Sequence, residues 1–448
     1  MEMNRLTVDF SREVGRIKPM NAVNGGPIEF RGIGNYDDLR ELCIPYMRNH
    51  DVAFYPHYGG EHTVDVHNIF PDFDADENDP TSYDFTYTDH YVNAVGKVGS
   101  KVFYRLGSKI EHGPKKYGTV PPRDYAKWAR ICEHIIRHYT EGWADGFYKD
   151  IEYWEIWNEP DCSGVDGQKN PCWQGSVAEF CEFFCIALSH LKKCFPKLKI
   201  GGPAFCSPKS WMADALFSAM KEKGLKLDFY SFHRYTTDPA SFADCARGGL
   251  EVLQKYGMED AELILNEWNY VSGWEGDATT KSTVTINSPK GASFDLAAMI
   301  AAEKSPLDQF AYYEIFPDSW NGLWNCYTNE RQLPFYAFKM FGDISRLGTE
   351  VESVSDDERH VFVLGASGDG GKAIALTYYD NDDGAPARDV AIDICGTGYA
   401  QRAEFYIVNK NSVMERVRTD YVSERGTTLY LHLENYDLVY VKLEQLQG

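Results

Sequence analysis

Two short stretches of the 448-residue chain put carboxylates where apolar runs end, Trp154-Glu155-Ile156-Trp157-Asn158-Glu159-Pro160 and Leu265-Asn266-Glu267-Trp268-Asn269. A glutamate that closes a tryptophan-rich run and precedes proline is ill suited to bulk water. A pair of such groups brought face to face can combine proton transfer with nucleophilic attack. Cleavage of a glycosidic bond with retention needs that pair: two carboxyl groups about 5–5.5 Å apart, one protonating the leaving oxygen while the other attacks the anomeric carbon. Glu159 is the candidate acid/base and Glu267 the candidate nucleophile. Glu155 lies four residues before Glu159 on the same face and deeper along the run, so it reads as a paired structural group. Glu314 and Asp318, in and just beyond a later run, would shape a site without performing the cleavage. A Schiff-base route has no candidate, because no lysine stands at a strand end comparable to Glu159 or Glu267. Metal sites lack candidates too: there is no Cys-x-x-Cys, and Asp72-Phe73-Asp74-Ala75-Asp76 is not followed by the Gly and Glu that a calcium loop needs at its sixth and twelfth positions.

Such carboxylates must be carried by rigid elements. From residue 18 to 349 short β-branched or aromatic runs alternate with stretches of helical spacing, the pattern of parallel βα units. Strands are expected at residues 19–23, 52–57, 101–106, 153–157, 198–203, 227–235, 262–268 and 309–316. Helices are expected at 37–49, 88–98, 123–139, 176–194, 209–223, 239–256, 290–303 and 334–345, with Ser176 and Asp124 as capping signals. Eight such units close a (β/α)8 TIM barrel, whose chemistry sits at the C-terminal ends of its strands. Glu159 and Glu267 then belong to the fourth and seventh strands. After residue 350 helical spacing gives way to short runs such as HVFVLGAS and KAIALTYYD between Gly, Asp and Asn turns, which predicts an antiparallel β-sandwich over 350–448. Residues 1–17, with RLTVDF, are expected to add a strand to it.

Trp157-Asn158-Glu159-Pro160 ending the fourth strand, with Glu267 on the seventh, resembles the clan A glycoside hydrolases. The layout of the whole chain, including the Tyr83-Asp84-Phe85-x-x-x-Asp89 entry to the second helix, is most similar to glycoside hydrolase family 39, which holds β-xylosidases and α-L-iduronidases. The resemblance implies Glu159 as acid/base, Glu267 as nucleophile and Asn158 as a contact to the sugar 2-hydroxyl. Phe232-His233-Arg234-Tyr235 resembles the family's His-x-Tyr; positions 233 and 235 share one strand face, and Tyr235 would donate a hydrogen bond to Glu267. His57, at the end of the expected second strand, would contact a sugar hydroxyl, and Trp320 and Trp324 would supply an aromatic floor. An exo-acting β-xylosidase or related glycosidase is the implied activity, needing no metal or organic cofactor. An iduronidase-like specificity would require a basic group facing the sugar carboxylate, for which Arg105 and Arg331 are the candidates. A non-catalytic carbohydrate-binding barrel would not need both carboxylates.

Composition narrows the partners. A formal net charge of −22 repels nucleic acids and anionic membrane surfaces, leaving an oligosaccharide or glycoside as the expected partner, with a homo-oligomer left open. The 29 Tyr and 10 Trp offer flat faces suited to sugar rings. No run approaches the ~20 apolar residues of a membrane span, and the first twenty residues hold no signal-peptide core, so a cytoplasmic protein is expected. Eleven Cys, an odd number, read as reduced thiols; Cys162 and Cys172 share a loop and are the pair that an oxidising compartment would join.

Overall fold

Eight parallel strands close into a barrel in the computed structural model of the chain, which describes residues 3–30, 33–52, 64–162, 170–316 and 320–446. In chain order they are Ala22–Asn24, Tyr46–Arg48, Lys101–Leu106, Tyr153–Ile156, Lys199–Phe205, Phe229–Thr236, Glu262–Tyr270 and Gln309–Tyr312. Each pairs in parallel with its neighbours in sequence, and the eighth returns to the first through Ala311↔Ala22 and Tyr312↔Val23. The connecting helices start where the caps predict. Ser176 and Glu179 form a reciprocal capping box at the head of Val177–Cys194, and the Asp124 carboxylate accepts from the Lys127 N–H at the head of Tyr125–Thr140.

Seven strands fall where the alternation places them, but the second does not. The second barrel strand is Tyr46–Arg48, ahead of the expected 52–57, of which residues 53–57 lie outside the described residues; the preceding helix, Tyr36–Leu42, stops early at Cys43, which turns left-handed (φ 52°). The helical spacing continues past the true end only because Pro45 and a three-residue strand leave no longer signal of their own. The eighth strand is also shorter than expected, ending at Tyr312.

The C-terminal strands form a second, mostly antiparallel sheet of nine strands. Its hydrogen bonds run through all nine in one series, where a sandwich predicts two separately bonded layers. Apolar side chains from distant strands, among them Phe405, Val422, Leu429 and Leu433, share one buried cluster with Leu6 and Val8, so the sheet folds over its own inner face. The N-terminal strand, Asn4–Arg16, lies within it, antiparallel to Thr349–Ser355 and parallel to Arg388–Cys395. Between sheet and barrel runs the helix Pro289–Glu303, buried along nearly its whole length. Ser293 Oγ lies 2.8 Å from Thr377 Oγ1 and 3.0 Å from the Tyr378 carbonyl oxygen, which ties that helix to the sheet. No helix among the described residues is long and apolar enough to cross a membrane.

Closure of the helical ring depends on Gly342 in the last barrel helix, Leu333–Leu347. A Cβ there would stand 2.3 Å from the carbonyl oxygen of Leu42, at the end of the first helix. Alanine is the better helix former by about 1 kcal/mol, yet the backbone clash dominates. Gly342→Ala is expected to lower stability by roughly 1–3 kcal/mol, read as an earlier urea midpoint; a later midpoint would refute the close approach.

Candidate active site

The barrel interior is organised around a charged side chain that a buried strand would not be expected to carry. Arg48, on the second strand and 1% exposed, donates four hydrogen bonds and makes one further ion-pair contact. Its Nε donates to Glu155 Oε2 at 2.8 Å, and its Nη2 lies 2.7 Å from the same oxygen. Nη1 donates to Glu267 Oε1 at 2.7 Å and to Asn24 Oδ1 at 3.0 Å, and Nη2 also donates to Asn158 Oδ1 at 2.7 Å. Glu155, deep in the barrel as its place in the fourth strand predicts, is bonded further by Ser231 and Asn266. Burial works against the charge on Arg48, but Glu155 and then Glu267 outweigh it and hold the guanidinium's pKa above its ordinary value.

Above that layer the two candidate carboxylates meet at His233. Its Nδ1 is 2.8 Å from Glu159 Oε1 and 3.3 Å from Glu267 Oε2. Facing oxygens of Glu159 and Glu267 lie within 4.8 Å of one another. With its proton on Nδ1 the neutral ring donates to Glu159 and leans toward Glu267. Tyr235, two residues along the same strand face, donates from its hydroxyl to Glu267 Oε2 at 2.8 Å. Glu159 is 8% exposed and Glu267 3%. The Glu159 backbone adopts the left-handed region (φ 44°), as do Trp157 (φ 75°) and Ala204 (φ 56°).

The two carboxyls sit in different fields. Burial pushes Glu159 well above the ordinary carboxylate range, reinforced by Cys162 and Asp161. Burial raises Glu267 as well, but the charge of Arg48 and the hydrogen bond from Tyr235 oppose it. The histidine is kept neutral by its own burial, which lowers its pKa. One carboxyl is thereby suited to keep a proton and the other to carry negative charge.

The structure locates most of the other residues expected at the site. His57 lies outside the described residues. A histidine just past the second strand, His50, two residues beyond Arg48, reaches Glu267. Its Nδ1 faces Arg105 Nε at 3.2 Å, and arginine can only donate, so the ring proton sits on Nε2, 3.4 Å from Asp51 Oδ2 and 3.6 Å from Glu267 Oε1. Trp324 does not line the site: it is fully buried, donates from Nε1 to Asp38 at 2.7 Å and packs on Phe335. The Asn321 side chain binds both the Leu323 N–H and the Trp324 carbonyl, and this turn directs the indole inward. Trp320 stands 5.4 Å, centroid to centroid, from Trp274, which in turn sits edge-on over Tyr235 at 4.9 Å. Trp274 is 57% exposed. Its position in a Gly-containing loop just past the seventh strand was the available signal for an aromatic rim. Glu314 is buried past the end of the eighth strand, and Asp318 lies outside the described residues. Arg105 is fully buried and pairs with Asp65 at 2.8 Å. Arg331 is engaged by Asp38 and Glu41.

Comparison with known proteins bears on the family and the fold. Residues 40–254 match the model of glycosyl hydrolases family 39. A β-xylosidase of Caldicellulosiruptor saccharolyticus is 25% identical over 252 residues, which cover 52% of this chain and 48% of that protein. The chain spans less than half the length of the curated relatives it matches. Among solved structures, a glucosidase from Croceicoccus marinus superposes with a TM-score of 0.79 at 20% identity, covering 100% of both chains. A monomeric β-xylosidase from Caulobacter crescentus does so with a TM-score of 0.70 at 16% identity, over 99% of this chain and 100% of that one.

Removing the guanidinium tests its place in the site. Arg48→Leu leaves Glu155 and Glu267 as buried carboxylates without their cation, so the unfolding free energy is expected to fall by about 3–5 kcal/mol. Adding Glu155→Gln removes one stranded charge and should restore part of the loss. Equal urea midpoints for the single and double variants would show that the loss is one of packing.

Proposed function

We propose, on the premise that this chain belongs to glycoside hydrolase family 39, that it is a retaining glycosidase releasing single neutral sugars, β-xylose or a close relative, from chain ends. The observation that carries this reading is the approach of one oxygen each of Glu159 and Glu267 to within 4.8 Å. That spacing suits direct attack; an inverting pair stands about 6.5–9.5 Å apart to admit a water.

In this mechanism Glu267 attacks the anomeric carbon while Glu159 gives its proton to the departing glycosidic oxygen. Arg48 and Tyr235 hold the two Glu267 oxygens from different sides, 2.7 and 2.8 Å away, and so fix the direction of attack. Formation of the glycosyl ester removes the charge on Glu267. Glu159, now ionised, takes a proton from water, which attacks the same carbon and restores the first state. Asn158, whose Oδ1 is held by Arg48, presents its amide nitrogen to the sugar 2-hydroxyl, and the Nε2–H of His50 serves a second hydroxyl. Tyr235, Trp274 and Trp320 form the apolar wall against which the ring stacks.

A neutral sugar is favoured over a uronic acid because both candidate arginines are engaged by carboxylates of the chain, Arg105 by Asp65 and Arg331 by Asp38 and Glu41. The β-xylosidase names of the relatives point to the same class. Its odd number of cysteines, eleven, favours a reducing, cytoplasmic compartment.

Incubation with 2-deoxy-2-fluoro-β-xylosyl fluoride, followed by peptide mass spectrometry, is expected to place the label on Glu267. Label on another residue overturns the assignment. NMR of the first product should show the β anomer, and appearance of the α anomer would refute retention. Glu159→Gln is expected to slow substrates with poor leaving groups on the order of 10²–10⁴-fold, the usual worth of a general acid, and to spare the first step on activated aryl xylosides. Equal slowing of that step for both classes would count against the acid role.

A further inference from the structure

Two thiols lie beside the acid/base carboxyl, and the proposed reaction uses neither of them. Glu159, Pro160, Asp161 and Cys162 make a tight turn closed by the Cys162 N–H on the Glu159 carbonyl at 3.0 Å. Cys206 follows the fifth barrel strand directly, and its N–H donates to Asp161 Oδ1 at 3.0 Å, which draws that strand end against the turn. The sulfurs of Cys162 and Cys206 and one Glu159 oxygen all lie within 4.8 Å of each other. Cys162 and Cys206 are each partly exposed, so this cluster has access from solvent.

We infer that Cys162, Cys206 and Glu159 form an inhibitory site for a thiophilic divalent cation of the zinc class. Two thiolate sulfurs and a carboxylate oxygen are all ligands that such ions accept, with a fourth position left for water. Tetrahedral bonds of about 2.3 Å to sulfur need S···S separations of roughly 3.8 Å, so a closure of about 1 Å suffices. Two thiol protons, and the Glu159 proton where present, pass to solvent on binding. The nearby Asp161 carboxylate, which raises the pKa of Glu159, adds negative potential at the same spot. An oxygen bound to the cation can neither give a proton to a leaving group nor take one from water, so both halves of the reaction stop. The inhibitory consequence rests on the glycosidase reading; the site itself rests only on the donor cluster.

The test uses the full chain reduced with a phosphine. One equivalent of Co²⁺ is expected to produce a thiolate-to-cobalt charge-transfer band, which Zn²⁺ displaces. The band should be lost in Cys206→Ser and in Cys162→Ser. It should persist in Cys194→Ser, which disrupts a second donor cluster of Glu133, His190 and Cys194 on the outer helices. Saturating Zn²⁺ should reduce aryl xyloside hydrolysis at least tenfold, reversibly with chelator, and each of the two serine variants should lose that sensitivity relative to its own metal-free rate. No thiolate band, a band surviving Cys206→Ser and Cys162→Ser, or a band lost only in Cys194→Ser would overturn the site. A Co²⁺ band on Cys162 and Cys206 with hydrolysis indifferent to Zn²⁺ would overturn the inhibition. Failure of the wild type to hydrolyse any glycoside would sink the functional reading and the inhibition, while the band would still decide the site.

Discussion

One guanidinium holds the centre of this barrel together. Arg48 touches the first strand through Asn24, the fourth through Glu155 and, just beyond its end, Asn158, and the seventh through Glu267, so a single side chain sets the spacing of four strands including its own. A buried cation with two carboxylates is seldom a net source of stability, because desolvation offsets most of the attraction. What it supplies here is placement. Four hydrogen bonds hold the guanidinium, and any rotation of Glu267 would cost a charge-assisted one in a region shielded from water.

The same group separates the two carboxyls chemically. Arg48 lies on Glu267, while the neighbours of Glu159 include Asp161 and the Cys162 thiol, both of which make a negative charge on it less favourable. His233 touches both, yet burial keeps it neutral, so it orients without cancelling that asymmetry. The difference between an acid and a nucleophile arises from which strand carries the arginine and which turn carries the acid, with two chemically identical side chains.

The catalytic stretches were legible because they break local rules: glutamate after a run of tryptophans, followed by proline, has few structural explanations. The alternating pattern likewise exposed the barrel, since seven of its strands fall on short runs rich in β-branched or aromatic residues. Arg48 and His50 were hidden by the inverse effect. A charged residue in a three-residue strand argues against burial, and the Val-Ala-Phe-Tyr run that follows offers a more persuasive decoy. The two tryptophans after the eighth strand, four residues apart, gave no sign that an Asn321 turn would send Trp324 into the packing while Trp320 stays beside Trp274. Loop conformation, set by one side-chain amide, decided that difference. The nine-stranded sheet was readable strand by strand, but the order of its hydrogen bonds, with the N-terminal strand lying parallel to Arg388–Cys395, depends on long-range pairing that no local run encodes.

The left-handed backbone at Trp157, Glu159 and Ala204 costs on the order of 1–3 kcal/mol at each residue, and it persists only where surroundings over-determine it. Those surroundings can be followed bond by bond. The Trp157 indole donates to the Cys172 carbonyl at 2.9 Å and is packed by Trp173 and Phe183. The Glu159 N–H donates to the Ala204 carbonyl at 3.0 Å, the Ala204 N–H to Ser231 Oγ at 2.9 Å, and the Ser231 hydroxyl to Glu155 Oε1 at 2.6 Å. Glu155 is bound by Arg48, which binds Glu267. The backbone of the acid is thus joined to the carboxylate of the nucleophile by an unbroken series of short hydrogen bonds through the barrel floor. A displacement of either carboxyl must stretch that series or unpack the tryptophans behind it, and this is why strained backbone and close opposed carboxylates occur together at this one end of the barrel.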